Sequence, residues 1–276
     1  MLGPTHVSRD RVTGSTRSTS EEHHPVTFGK TKALEMQSIP LANLALSFLP
    51  VMVVVAILYY WKMNAFQSIY AMSRMVLQLL FVGYLLVSIF EAETPWIVIL
   101  VLGVMLVLAS WIALRPLQQR RWELLPRVFV SIAIGSLVTI ALVTQAVLHL
   151  EPRWNPRFVI PLSGMIFANA MNCVSLAAER YAAEKQNGLS YLEARPIALR
   201  AALIPITNSL FSVGIVSLPG MMTGQILEGV SPLIAVRYQI MVMCMVFGSG
   251  GISAACYLWS LRNLDSAPLG GSGSPL

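Results

Sequence analysis

The chain has 276 residues and a formal charge of +6, with 55% of its residues hydrophobic and only 12% charged. Mean hydropathy is +0.66, and soluble domains carry roughly 25% charged residues, so a water-soluble globular protein is excluded. Nucleic-acid binding is not implied by the basic balance, because the Lys and Arg residues lie between apolar runs with no interleaved aromatic-basic motif.

A crossing of the hydrocarbon takes about 20 apolar residues. The chain reads as an all-α, polytopic integral membrane protein with about seven transmembrane helices in a domain over 38–262. Residues 1–37 are rich in Ser, Thr, Arg and His and lack the apolar core of a secretory signal. They predict a disordered tail in which His6, His23 and His24 are incidental, with Met36 as an alternative start. The expected spans are 39–61, 75–90 (entered through Arg74), 95–114, 128–150, 158–177, 203–222 and 233–259, followed by a flexible tail over 263–276. Tyr59, Tyr60 and Trp61 suit a membrane interface. Cys173, Cys244 and Cys256 fall inside apolar runs, where free Cys acts as a small hydrophobe, and no disulfide framework is suggested.

Basic loops stay in the cytoplasm. Lys62 and Arg74, then Arg115, Arg120, Arg121 and Arg127, then Arg180, Lys185, Arg195 and Arg200, then Arg262 fall on one side. Only Arg153, Arg157 and Arg237 fall on the other, which predicts the N-terminus outside and the C-terminus inside. Between spans five and six lies a polar helix-turn-helix that the rest of the chain is arranged around. Gly188 breaks the first helix, and Ser190-Tyr191-Leu192-Glu193 is an S-x-x-E capping box that opens the second. A cytoplasmic hairpin of this kind reads as a force-transmitting hinge, with a solvated charged loop as the plainer reading.

No stretch matches a phosphate-binding loop, H-E-x-x-H, C-x-x-C or G-x-S-x-G. The chain is therefore not expected to be an enzyme, and another subunit must supply any energy used. In span five, Gly164, Ala168, Asn172 and Ser175 make a small-residue face on which a helix can pack closely. Asn169 and Asn172 place amides in hydrocarbon, where they need partners. They serve either as interhelical glue or as the lining of a polar path; Asn208 and Gln78 are open in the same way. Met241, Met243 and Met245 point to different sides of a helix, so packing explains them better than one metal site, and no metal cage is evident. Gly220 to Gln225 read as a bend or short re-entrant element, which adds Gly220, Met221, Met222 and Gln225 to the path candidates.

Five segments carry a family resemblance: RMVLQLLFVGY from Arg74, PLSGMIFANAMN from Pro161, AALIPITN from Ala201, VSLPGMMTG from Val216 and YQIM from Tyr238. In this order the chain resembles the FetB-type ABC transporter permease family of bacterial iron-export and plant aluminium-tolerance permeases. The resemblance implies a multi-pass permease of the inner or plasma membrane, paired as a homodimer with a separate ATP-binding subunit. That subunit would hold ATP and Mg, and this chain no cofactor. Export of a metal ion such as iron is implied, with a nucleotide-sugar-like organic anion, or a secondary transporter without ATPase, as alternatives. The coupling role falls on Glu184, Gly188, Ser190, Glu193 and Arg195. The hairpin departs from the usual coupling pattern: it reads A-A-E where E-A-A is usual, and Gly188 lies further from Pro205.

Overall fold

The computed structural model describes residues 40–91, 95–149 and 155–262. Both expected tails lie outside the described residues. Among those described, the secondary structure is helical apart from one isolated bridge between Val213 and Ser217. Helices suit a chain so apolar, because they satisfy every backbone group internally where no water is at hand.

Helices α1 (Leu41–Leu46) and α2 (Leu49–Tyr60) form one apolar stretch, and α3 (Ala65–Glu91) returns beside α2. α3 begins ten residues before the expected Met75. Asn64 starts it by accepting the Gln67 amide at 3.3 Å, and the polar residues Gln67, Ser68, Tyr70 and Ser73 had hidden its first turns. Arg74, expected at the membrane entrance, therefore sits nine residues inside the helix. At 1.5 Å per residue that is roughly 14 Å from its start.

α4 (Pro95–Ala113) is followed by a tight turn, Arg115–Arg120, and by α5 (Arg121–Ala141). α5 begins seven residues before the expected Val128 and widens at its far end into a π-type turn, Leu142–Val147. α6 (Pro156–Gln186) has 31 residues, capped by the Asn155 side chain, which accepts the Arg157 amide at 3.1 Å. At about 46 Å it outruns about 30 Å of hydrocarbon, so its last turns project beyond it.

α7 (Tyr191–Ser212), α8 (Gly220–Leu227) and α9 (Pro232–Ser260) complete the chain. The expected continuous span 203–222 is instead two helices. Gly214, at φ +83°, turns the backbone out of α7, and Pro219 precedes α8. Six stretches are long and apolar enough to cross a membrane. α7 is not among them because Glu193, Arg195 and Arg200 occupy its first half. Yet Tyr191 meets Leu258 and Leu203 lies near Gly251, so α7 runs antiparallel to α9 and supplies the remaining crossing.

The core sits where α4, α5, α6, α7 and α9 meet, with Ile132, Ile166, Phe167, Val174, Ala198, Ala254 and Tyr257 almost fully enclosed. Small residues set the helix spacing. A Cβ added at Gly135 would lie 2.8 Å from the Ser253 amide and 2.9 Å from the Ser249 carbonyl, so only glycine lets α5 approach α9 this closely. The α2–α3 hairpin stands apart: no residue of α2 is buried, and α3 joins the core through Leu86 and Ile89 near its far end.

Candidate functional site

The α6–α7 hairpin is a rigid corner. α6 ends in a Schellman motif, with the Leu189 amide donating to the Glu184 carbonyl at 3.2 Å and the Gly188 amide to the Lys185 carbonyl at 3.1 Å. Gly188 takes φ +85°, a left-handed backbone that any Cβ would strain. Two residues on, Ser190 and Glu193 form the predicted capping box: the Glu193 amide donates to the Ser190 hydroxyl at 3.4 Å, and the Ser190 amide to the Glu193 carboxylate at 3.0 Å. The Ser190 hydroxyl also donates to that carboxylate at 2.7 Å. These bonds, the hydroxyl's first and then the amide's, hold the Glu193 carboxyl below its usual range.

One side of the corner is welded to the core. The Tyr191 hydroxyl donates to the Leu258 carbonyl at 3.1 Å, across from α7 to the last turns of α9. Tyr181 packs edge-on against Tyr191 with ring centroids 6.3 Å apart, and the Arg195 guanidinium lies 5.5 Å over the Tyr191 ring. Glu184 is buried and pairs with Arg180 at 2.5 Å. The opposite side, with Gly188, Ser190, Leu192 and Glu193, is exposed, and Arg195 is exposed at its edge. Four of the five coupling candidates thus share an open surface, while Glu184 faces inward and stiffens α6. No short-range pattern links Tyr181 or Tyr191 to Leu258, so the sequence alone does not single them out for this role.

The path candidates separate. Asn169 turns into the bundle and donates to the Val246 carbonyl of α9 at 2.6 Å, so it acts as interhelical glue. Gly250 makes room for it, since a Cβ there would collide with the Asn169 amide and lie 2.7 Å from the Cys173 sulfur. Asn172 and Asn208 are exposed on the outer sides of α6 and α7, away from that contact.

Gly220, Met221, Met222 and Gln225 all fall in α8, the short helix at the end of the bundle opposite the hairpin. Met221 lines a cavity of about 350 Å³ together with Met165, Met241, Tyr238, Phe158 and Arg157. The broken helix brings three thioethers to one place, though Met241 had pointed away from its sequence neighbours Met243 and Met245. Among the described residues, two buried amide oxygens close by in sequence have no donor: Oε1 of Gln225, one turn after Met221, and Oε1 of Gln239, next to Tyr238. Among the described residues, no group of three His, Cys, Asp or Glu side chains converges.

Residues 41–196 and 190–264 match the family described as "Uncharacterised protein family (UPF0014)". The chain is 36% identical over 203 residues to "UPF0014 membrane protein slr1647" of Synechocystis, which covers 68% of this chain and 78% of that one. It is 34% identical over 247 residues to "Probable iron export permease protein FetB" of Escherichia coli, covering 81% of this chain and 92% of the relative. "Protein ALUMINUM SENSITIVE 3" of Arabidopsis thaliana is 31% identical over 226 residues, covering 74% and 80%. No solved structure matches. With its six long apolar helices and these relatives, the chain belongs to UPF0014 and is a multi-pass membrane permease homologous to FetB.

Proposed function

We propose that this permease is the membrane subunit of an ABC-type exporter. Two copies would pair with a separate ATP-binding subunit that holds ATP and Mg, and the cargo would be a metal ion such as iron. The observation that carries the reading is the hairpin: an exposed, capped corner whose reverse side is tied to α9 through Tyr191 and Leu258. A push on Gly188 or Leu192 is then delivered to α9 as a rigid-body displacement, which a floppy loop would absorb. The bacterial relative named for iron export supports the cargo. So do the three thioethers at the α8 cavity, soft acceptors able to replace part of a cation's hydration without holding it tightly.

A second reading, an organic anion, draws on Arg157 at the same cavity. The two separate in proteoliposomes holding this chain and its ATP-binding partner. Iron or another divalent metal is expected to stimulate ATP hydrolysis and to leave the cytoplasmic side. Stimulation by UDP-glucose alone would favour the anion. Failure of any ATP-binding subunit to associate would remove the ABC reading.

A further inference from the structure

Arg74 stands at mid-depth in α3, on a stretch that the other described residues leave exposed. Its level follows from α2: the groove between the two helices brings Met72 against Val51 and Val55, in the middle of the Ala42–Tyr60 stretch. With the Gln78 amide oxygen turned toward it, Gln78 accepts from Arg74 Nε at 3.1 Å and Nη2 at 3.3 Å. Gln67, Tyr70, Arg74 and Gln78 recur at helical spacing and form a polar stripe, and all four are exposed. Residues three and four apart lie on one side of a helix. A charged side chain at this depth belongs against protein or in a water-filled path, not against lipid.

Exposed amides at similar depth lie on a second surface, that of the bundle. Asn172, three residues after the Asn169 that meets the middle of α9, is exposed on α6, and Asn208 is exposed on α7. The two surfaces do not meet within one chain, because α3 joins the core only near its outer end, through Leu86 and Ile89 among its described residues. Among the described residues, its inner part packs beside α2.

We infer that the α2–α3 hairpin is an arm that packs on a second copy of this chain, setting the Arg74–Gln78 stripe against the partner copy's α6–α7 face at Asn172 and Asn208. Copies inserted the same way are related by an axis along the membrane normal, so equivalent residues lie at equal depth. A stripe-on-stripe dimer would therefore oppose two guanidinium groups in a medium of low dielectric. Exchange of arms avoids this, gives each guanidinium amide oxygens to donate to, and closes with two identical contacts as a two-fold assembly requires. It rests on the two-copy permease proposed above but not on ATP.

The test is photocrosslinking in native membranes, with p-benzoylphenylalanine in place of Gln78 in one tagged copy and a differently tagged wild-type copy beside it. The expected product has twice the chain's mass, carries both tags and maps to α6 or α7 peptides around Asn172 or Asn208. The same probe at Leu100, exposed on α4, is expected to give no such product. Crosslinks within one chain, to a different protein, to the partner's α3, or to lipid alone would each overturn the arm exchange. ATP hydrolysis on the same preparation keeps the outcomes apart: stimulated hydrolysis without the inter-copy product rejects this interface and leaves the ABC reading standing.

Discussion

At the residue scale, two asparagines three positions apart do different work. Asn169 donates to the Val246 carbonyl, so Asn169→Ala should lose about 1 kcal/mol, read as a lower thermal midpoint in detergent. Among the described residues Asn172 has no such bond, so Asn172→Ala should leave that midpoint unchanged and show itself in transport or in copy-to-copy contact. Gly250→Ala should cost on the order of 1–3 kcal/mol, because the new methyl meets the Asn169 amide and the Cys173 sulfur inside a packed core. The Ser190–Glu193 cap adds a pH dependence. Since the folded carboxyl titrates below its usual range, the cap's contribution is present above the unfolded value and is lost as pH falls through the folded one. Amide hydrogen exchange in the first turn of α7 should rise on acidification, and in Ser190→Ala it should be raised already at neutral pH, by a cap loss of about 1 kcal/mol.

At the element scale, the hairpin is the part the sequence announced most clearly. A glycine followed by S-x-x-E states a stop and a start in local chemistry alone, and the Schellman turn and capping box are both present. What local chemistry cannot state is which side of the corner is buried. The Tyr191 to Leu258 bond joins residues 67 positions apart, and no periodicity reaches so far. The break after α7 is hidden for a related reason: residues 203–222 carry no charge, and composition does not register that Gly214 turns the backbone. The start of α3 is hidden in the opposite sense, since its polar stripe resembles a loop until a neighbouring helix fixes its depth. Two substitutions separate structure from coupling here. Gly188→Ala should cost roughly 1–2 kcal/mol through the left-handed backbone and lower transport. Tyr191→Phe should cost about 0.5–1.5 kcal/mol and let ATP be hydrolysed with less cargo moved, measured as the ratio of transport to hydrolysis in proteoliposomes.

At the scale of the whole molecule, a tightly packed five-helix core carries the lightly attached α2–α3 hairpin, and one of the core helices, α7, breaks off at Gly214 before α8. The hairpin lies at one end of that core and the methionine-lined cavity at the opposite end, and α6 and α9 connect them. A displacement of the corner toward α9 therefore has a direct mechanical route to the cavity, through helices that cannot bend easily where Gly135, Asn169 and Gly250 lock them together. The central claim is that this route couples a partner's ATP hydrolysis to movement of cargo. The most direct measurement is ATP hydrolysis by the ATP-binding protein encoded nearest to this chain, reconstituted with the permease in lipid, with and without iron, for the wild type and for Gly188→Ala. The account predicts a complex that co-purifies, hydrolysis stimulated by iron, and loss of that stimulation in the variant with membrane insertion intact. Stable insertion with no association, or a variant stimulated as fully as the wild type, would contradict it.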